Sequence, residues 1–221
     1  MKYKYMIKNF NEFIEEGMWG SALKRSNTEE ERREDKDNTQ YIDLGLPSGT
    51  LWAERNIGAA EPEEYGDFYA WGETEPKEEY TWYNYKWGAD CTKYNKKDGK
   101  TVLEPEDDVV YLKTKGEAHI PTIEQIYELS NNTTSKLKKI NGVEGRLYKS
   151  NINGNTIFIP FAGNCDVSSI TGINRFSRYW SSSLYSPNHQ MAYYLYARYD
   201  NSVIFVKDRY VGFSVRGVKD K

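Results

Sequence analysis

The clearest alternation of apolar and polar positions lies near the end of the chain, over residues 191–198. One alternating set is Tyr193, Leu195 and Ala197; the other is Tyr194, Tyr196 and Arg198. Strand side chains point to opposite faces with period two. The pattern predicts a strand with one face on the core and the other showing two tyrosines and an arginine to solvent. This strand is expected over about residues 192–199, and further strands near residues 179–183, 203–207 and 213–218. Between Leu147 and Phe161, two extended runs flank Asn153-Gly154, a pair suited to the positive backbone angles of a tight hairpin. The second run closes on Pro160, which cannot donate to a strand ladder and so belongs at a strand end.

Helical spacing is clearest over residues 121–129. Ile123, Ile126 and Tyr127 fall on one helical face. Thr122 stands at the N-cap with Gln125 three residues on, the pattern of a capping box, and Asn131 or Asn132 closes the helix. A shorter helical segment is expected over residues 107–111. Earlier, residues 41–45 read as a short strand, 46–50 as a turn and 51–53 as a second extended segment. Residues 65–90 are dense in aromatics, among them Phe68, Trp71, Tyr80, Trp82, Tyr85 and Trp87, without regular period. They predict a packed irregular loop region, whose rings either fill a core beneath long loops or form a platform for carbohydrate. Turn pairs recur at Asp98-Gly99, Asn141-Gly142 and Asn153-Gly154. Short strands, about two helices and many ordered loops together predict an α+β fold.

The first forty residues follow a different pattern. Phe10, Phe13 and Ile14 have the i, i+3, i+4 spacing of a short amphipathic helix, which Gly17 can end. Met18, Trp19 and Leu23 would form an apolar patch too large to leave bare. Residues 1–25 thus read as a docking segment, held by the main domain, by an anchoring partner or by a second copy. Residues 26–40 are highly charged and nearly free of apolar groups, so burial cannot offset their ordering entropy. They read as a solvated linker, and residues 41–221 as the main domain.

Charge and composition remove several function classes. With 30 basic and 33 acidic residues the net charge is −3, and no basic block suggests nucleic acid as a partner. No apolar run approaches the ~18 residues of a membrane span, and the N-terminus lacks the apolar stretch of a signal peptide. Cys91 and Cys165 are too few for a disulfide framework and read as free thiols. His119 and His189, with two distant cysteines, do not compose a zinc set, and no Gly-rich phosphate loop is present. Nothing points to an enzyme or a cofactor. By contrast, seven of the 19 tyrosines follow residue 178. Tyr and Arg give large contact area and hydrogen bonds at low entropic cost, as recognition surfaces favour.

Several motifs, in order, resemble one family. They are residues 43–53, 56–59 and 63–73, then 103–108 and 120–122, then 179–183, Ala192-Tyr193, Arg209 and 212–216. They look like domains of gut Bacteroidetes and their phages in the formylglycine-generating-enzyme branch of the C-type lectin fold, similar to the Fibrobacter major paralogous domain. That family includes variable proteins of diversity-generating retroelements, in which mutagenic reverse transcription rewrites adenines near the 3′ end of the gene. The resemblance covers about residues 41–218 and implies a C-type lectin fold with a variable region over about residues 178–216.

On that resemblance, Trp180, Ser181, Ser182, Ser183, Ala192, Tyr193, Leu195, Val203, Arg209, Gly212, Val215 and Arg216 fit the fixed scaffold. Tyr185, Asn188, His189, Tyr194, Tyr196, Arg198, Asp200, Asn201, Ile204, Asp208 and Tyr210 lie between them, and each type is reachable from an Asn codon by changing adenines. These eleven are the expected ligand-binding face. Gln190, Met191 and Lys207 are not reachable from the usual codon. The calcium motifs of sugar-binding lectins are missing: Ser186 stands where a ligand would be needed. The reactive cysteines of the formylglycine-generating enzyme are missing too, since none follows Cys165. The implied function is binding of a receptor protein or glycan on a target cell, from a phage tail or a bacterial surface. The alternatives are a non-diversified adhesion or assembly module of the same fold and a degenerate enzyme of the formylglycine-generating type.

Overall fold

In a computed structural model the described residues are 39–221; the docking segment of residues 1–25 and the charged linker up to residue 38 lie outside them. The described chain opens with β1 (Tyr41–Asp43) and β2 (Leu51–Asn56) and closes with β11 (Arg216–Lys219), and these three form one antiparallel sheet, β1-β2-β11. The beginning and end of the domain are therefore hydrogen-bonded side by side. Arg216, 1% exposed, locks this closure. Its Nε donates to Asn56 Oδ1 at 2.8 Å, Nη1 to the Ala53 carbonyl at 3.0 Å and Nη2 to the Phe158 carbonyl at 3.1 Å.

A 3-10 turn (Pro105–Asp107) leads into the short helix α1 (Val109–Lys113). The longer helix α2 (Ile123–Asn132) starts as its sequence dictates: Thr122 Oγ1 accepts from Gln125 N, and Gln125 Oε1 accepts from Thr122 N. It buries Ile123, Ile126 and Leu129, whereas Tyr127, expected on the core face, is 51% exposed. Three strands follow as one antiparallel sheet: β3 (Thr133–Ile140), β4 (Val143–Ser150) and β5 (Thr156–Pro160). The β4–β5 hairpin turns through Asn153-Gly154 and ends on Pro160, both as expected. Strand β3 was not expected. It pairs Ile140 with Val143 across a two-residue turn in which Asn141 (φ 46°) and Gly142 (φ 87°) both adopt left-handed angles, which these residue types tolerate.

A small ribbon of β6 (Asn164–Asp166) and β7 (Ser169–Thr171) precedes the last sheet. That sheet has the order β10-β9-β8, from β8 (Phe176–Leu184), β9 (Met191–Arg198) and β10 (Ser202–Asp208). Among the described residues the fold is thus α+β, with short antiparallel sheets and the helices lying between β2 and β3. Residues 57–104 hold no strand or helix, in keeping with the irregular aromatic region expected there.

Two apolar clusters sit on opposite sides of β8–β9. One joins Ile126 and Leu129 of α2, Tyr148, Ile157 and Ile159 of β4–β5, and Tyr179, Leu195 and Ala197. The other joins the loop rings Tyr69, Trp71, Tyr80, Tyr85, Trp87 and Tyr94 to Trp180, Ala192, Tyr194 and Phe213. The rings of the second cluster meet mainly edge to face, at centroid separations such as 5.2 Å for Trp71–Tyr94 and 5.6 Å for Tyr85–Trp87, the arrangement their quadrupoles favour. Arg209, 0% exposed, sits among them, 4.6 Å from the Trp71 ring and 5.1 Å from Trp87. It donates to Tyr85 Oη and to the carbonyls of Tyr94, His189 and Lys93. One side chain thereby ties the irregular loop to the segment that enters β9.

Candidate functional site

Directly paired residues of antiparallel strands share a face. Arg178 pairs with Tyr196 and Phe176 with Arg198 between β8 and β9, and Tyr194 pairs with Phe205 of β10. One face of the sheet therefore carries Phe176, Arg178 and Trp180, then Arg198, Tyr196 and Tyr194, then Val203 and Phe205. The loop cluster covers only the end of this face bearing Trp180 and Tyr194. Beyond that cover, Phe205 is 51% exposed and Phe176, Arg178, Tyr196 and Arg198 are half-buried.

Arg178 is the centre of this open area. Its guanidinium carbon lies 4.9 Å from the Phe176 ring centroid and 5.2 Å from that of Tyr196, with Phe213 and Tyr194 at 5.6 and 5.9 Å. Nη1 donates to Asn164 Oδ1 at 2.8 Å, while Nε is buried without a hydrogen-bond partner. Around it Phe176–Tyr196, Tyr196–Phe205 and Tyr194–Tyr196 stand 5.5, 6.2 and 6.2 Å apart. At the end of the hairpin, Arg198 Nε donates to Asn201 Oδ1 at 2.8 Å and Nη2 to Asp200 Oδ2 at 2.9 Å. Asp200 is exposed; slight desolvation pushes its pKa up, but hydrogen bonds from backbone amides and Arg198, with the arginine's charge, hold it below the ordinary value.

The eleven residues expected to form one face are divided by the fold. Tyr196, Arg198, Asp200 and Asn201 do come together at the open end. Tyr194 is corrected: it shares their face but is only 6% exposed, because Trp180 and Phe213 close over its ring at 6.2 and 4.9 Å. Burial pushes its hydroxyl pKa up. Ile204 is corrected as well. It pairs with Leu195 and turns to the opposite face, where it packs against the α2 cluster. Asp208 shares that opposite face, paired with Met191. Tyr185 stacks edge-on with Tyr193 at 5.4 Å, again away from the Arg178 face. Asn188 and His189 form the turn before β9; Asn188 N donates to the Tyr185 carbonyl. Tyr210 lies 5.0 Å from Trp82, beside the aromatic loop, half-buried.

Phe176, Arg178 and Phe205 were missed by the sequence reading. A signal existed: residues 176–180 alternate as Phe176, Arg178, Trp180 against Ser177, Tyr179, but the expected strand began only at Tyr179. Among the described residues, one trio of carboxylates is close enough to share a cation, Glu104, Glu106 and Asp107. It already surrounds the Lys93 ammonium at 2.6, 3.0 and 2.5 Å, so it is an ion-pair network. Both thiols are buried and free. Comparisons with protein-family models, curated proteins and solved structures find no match for this chain.

Proposed function

We propose that the chain is a ligand-binding protein of C-type lectin-like fold, whose C-terminal sheet presents a rewritable recognition face to a receptor on another cell. The pairing of the last strand, β11, with β2 near the start of the domain, around long ordered loops, supports the lectin-like arrangement. The observation behind the binding role is the open half of the β8–β9–β10 face, where Arg178 lies among Phe176, Tyr196 and Phe205, with Arg198, Asp200 and Asn201 at its rim. Aromatic and arginine side chains on a rigid strand platform are the residues that dominate binding energy elsewhere. The platform is fixed from behind by Leu195, Ala197 and Tyr179, and from the side by Arg209. Exposed positions can then change without disturbing the fold, since surface substitutions usually shift stability by no more than ~0.5 kcal/mol.

A fixed adhesion module of the same fold is the second reading. It is favoured by Tyr194 and Ile204, two positions of the expected variable set that contribute to packing. The test is binding of fluorescent protein to a mixed gut bacterial community, comparing wild type with the combined Tyr196→Ala, Arg198→Ala and Phe205→Ala variant. Loss of cell labelling with cooperative unfolding retained supports the binding face. Equal labelling by both proteins contradicts it.

A further inference from the structure

A second site lies beside the open face, with walls of its own and the rim residues Asp200 and Asn201 in common. A cavity of 170 Å³ opens beneath the β9–β10 turn, with Arg146, Ser135, Tyr148 and Ser202 on its walls and Asp200 and Asn201 at its mouth. Arg146 is 6% exposed. Of the three buried arginines among the described residues, it is the one that lines this cavity. A guanidinium has five N–H donors, and four bonds are made here: Nε to Ser135 Oγ, Nη2 to the Ser135 carbonyl, and Nη1 to the carbonyls of Arg198 and Tyr199. All four acceptors are neutral, and one Nη2 hydrogen is left over. The Ser135 hydroxyl accepts from Arg146, and its own proton has no acceptor among the described residues. Tyr148 Oη and Ser202 Oγ share one hydrogen bond of 2.5 Å, which leaves one of those two hydroxyl protons over as well. The cavity thus offers a buried positive charge and surplus donors. The one carboxylate at its mouth, Asp200, is engaged by Arg198 at 2.7 Å.

A buried charge is costly unless it is paired, and an oxyanion supplies both the charge and the acceptors that this wall lacks. We propose that this cavity binds a small oxyanion group, a carboxylate or a sulfate ester. The C-terminal end of α2 opposes an anion through its dipole. However, its late carbonyls are already engaged: Ile126 by Ser130 Oγ, Glu128 by Asn132 Nδ2 and Leu129 by Thr133 Oγ1. The walls of the site are separate from the receptor face, because neither Tyr196 nor Phe205 lines it and only Asp200 and Asn201 are shared.

The test is NMR titration of the full chain at constant ionic strength with sodium glucuronate, sodium sulfate and glucose, following the amides of Ser135, Asn201 and Ser202. Saturable shifts with glucuronate, with sulfate or with both, and none with glucose, are expected. Which anion saturates separates a carboxylate from a sulfate ester as the natural group. A dissociation constant on the order of 1 mM is reasonable for one charged contact set. Asp200→Asn removes the negative charge at the mouth and should tighten binding about threefold. Ser135→Ala should weaken it roughly tenfold, with the Ser135 carbonyl still holding Arg146. Linear, non-saturating shifts, equal response to glucose, or an Asp200→Asn variant that binds no better would overturn the proposal.

Discussion

Tyr194 and Arg198 lie on the same face of one strand, yet their replacement by alanine should have very different consequences. Tyr194 is 6% exposed and contacts Trp180, Phe213 and Phe205. Truncating a large buried aromatic costs about 3–5 kcal/mol through lost transfer energy and the residual cavity. The low end applies here, because the ring sits at the edge of the loop cover, where neighbours can relax. A loss of about 3 kcal/mol corresponds to a fall in Tm of roughly 6–12 °C for a domain of this size. Tyr196 is half-buried with Phe176 as its nearest ring partner, and one aromatic pair is worth about 1 kcal/mol. Arg198 makes its contacts with a solvent-exposed turn, so its loss should stay within ~0.5 kcal/mol. Urea unfolding followed by tryptophan fluorescence, with thermal melts alongside, gives the three values. The reasoning fails if Tyr194→Ala costs less than about 1 kcal/mol, or if the three substitutions cost the same.

Three further outcomes are expected. Arg216→Met should destabilise the domain by about 3 kcal/mol or more, because it strands the carbonyls of Ala53 and Phe158 and the side chain of Asn56, and a near-neutral urea midpoint would contradict the role of Arg216 in closing the domain. Burial pushes the Asp107 carboxyl up, but hydrogen bonds from Lys86, Lys93 and Tyr94 outweigh it and hold its pKa below the ordinary value. Its stabilisation is therefore present above the unfolded value near 3.9 and is lost as pH falls through the folded pKa; Lys93→Met should flatten that acid limb of stability against pH, and identical limbs would refute the coupling. Burial pushes the thiols of Cys91 and Cys165 up, so both should react with a thiol reagent only on unfolding, and rapid labelling of either in the native state would show a more open core.

The features legible in the sequence were those fixed by near neighbours. The capping box at Thr122 and Gln125 and the hairpin at Asn153-Gly154 depend on residues three apart or adjacent, and both formed as expected. The phase of β9 was also right: Leu195 and Ala197 do face a core. What failed needed distant partners. Tyr194 is covered by Phe213, which nothing in the local alternation reveals. Strand β3 stayed hidden because Lys139 breaks its alternation, its apolar residues are only Leu137 and Ile140, and no turn separates it from α2. Arg178 escaped notice because its setting is made by rings from β8, β9 and the segment after β10. Likewise Arg146 meets the β9–β10 turn only in the folded chain.

The central claim is a recognition face that changes while its scaffold does not. Sequencing the 3′ end of the gene across many cells of one population tests it most directly. The expected result is variation confined to adenine-matched codons, concentrated at Tyr196, Arg198, Asp200 and Asn201, with Trp180, Arg209 and Arg216 invariant and a template copy nearby. An invariant 3′ end with neither template nor reverse transcriptase in the locus would contradict the claim.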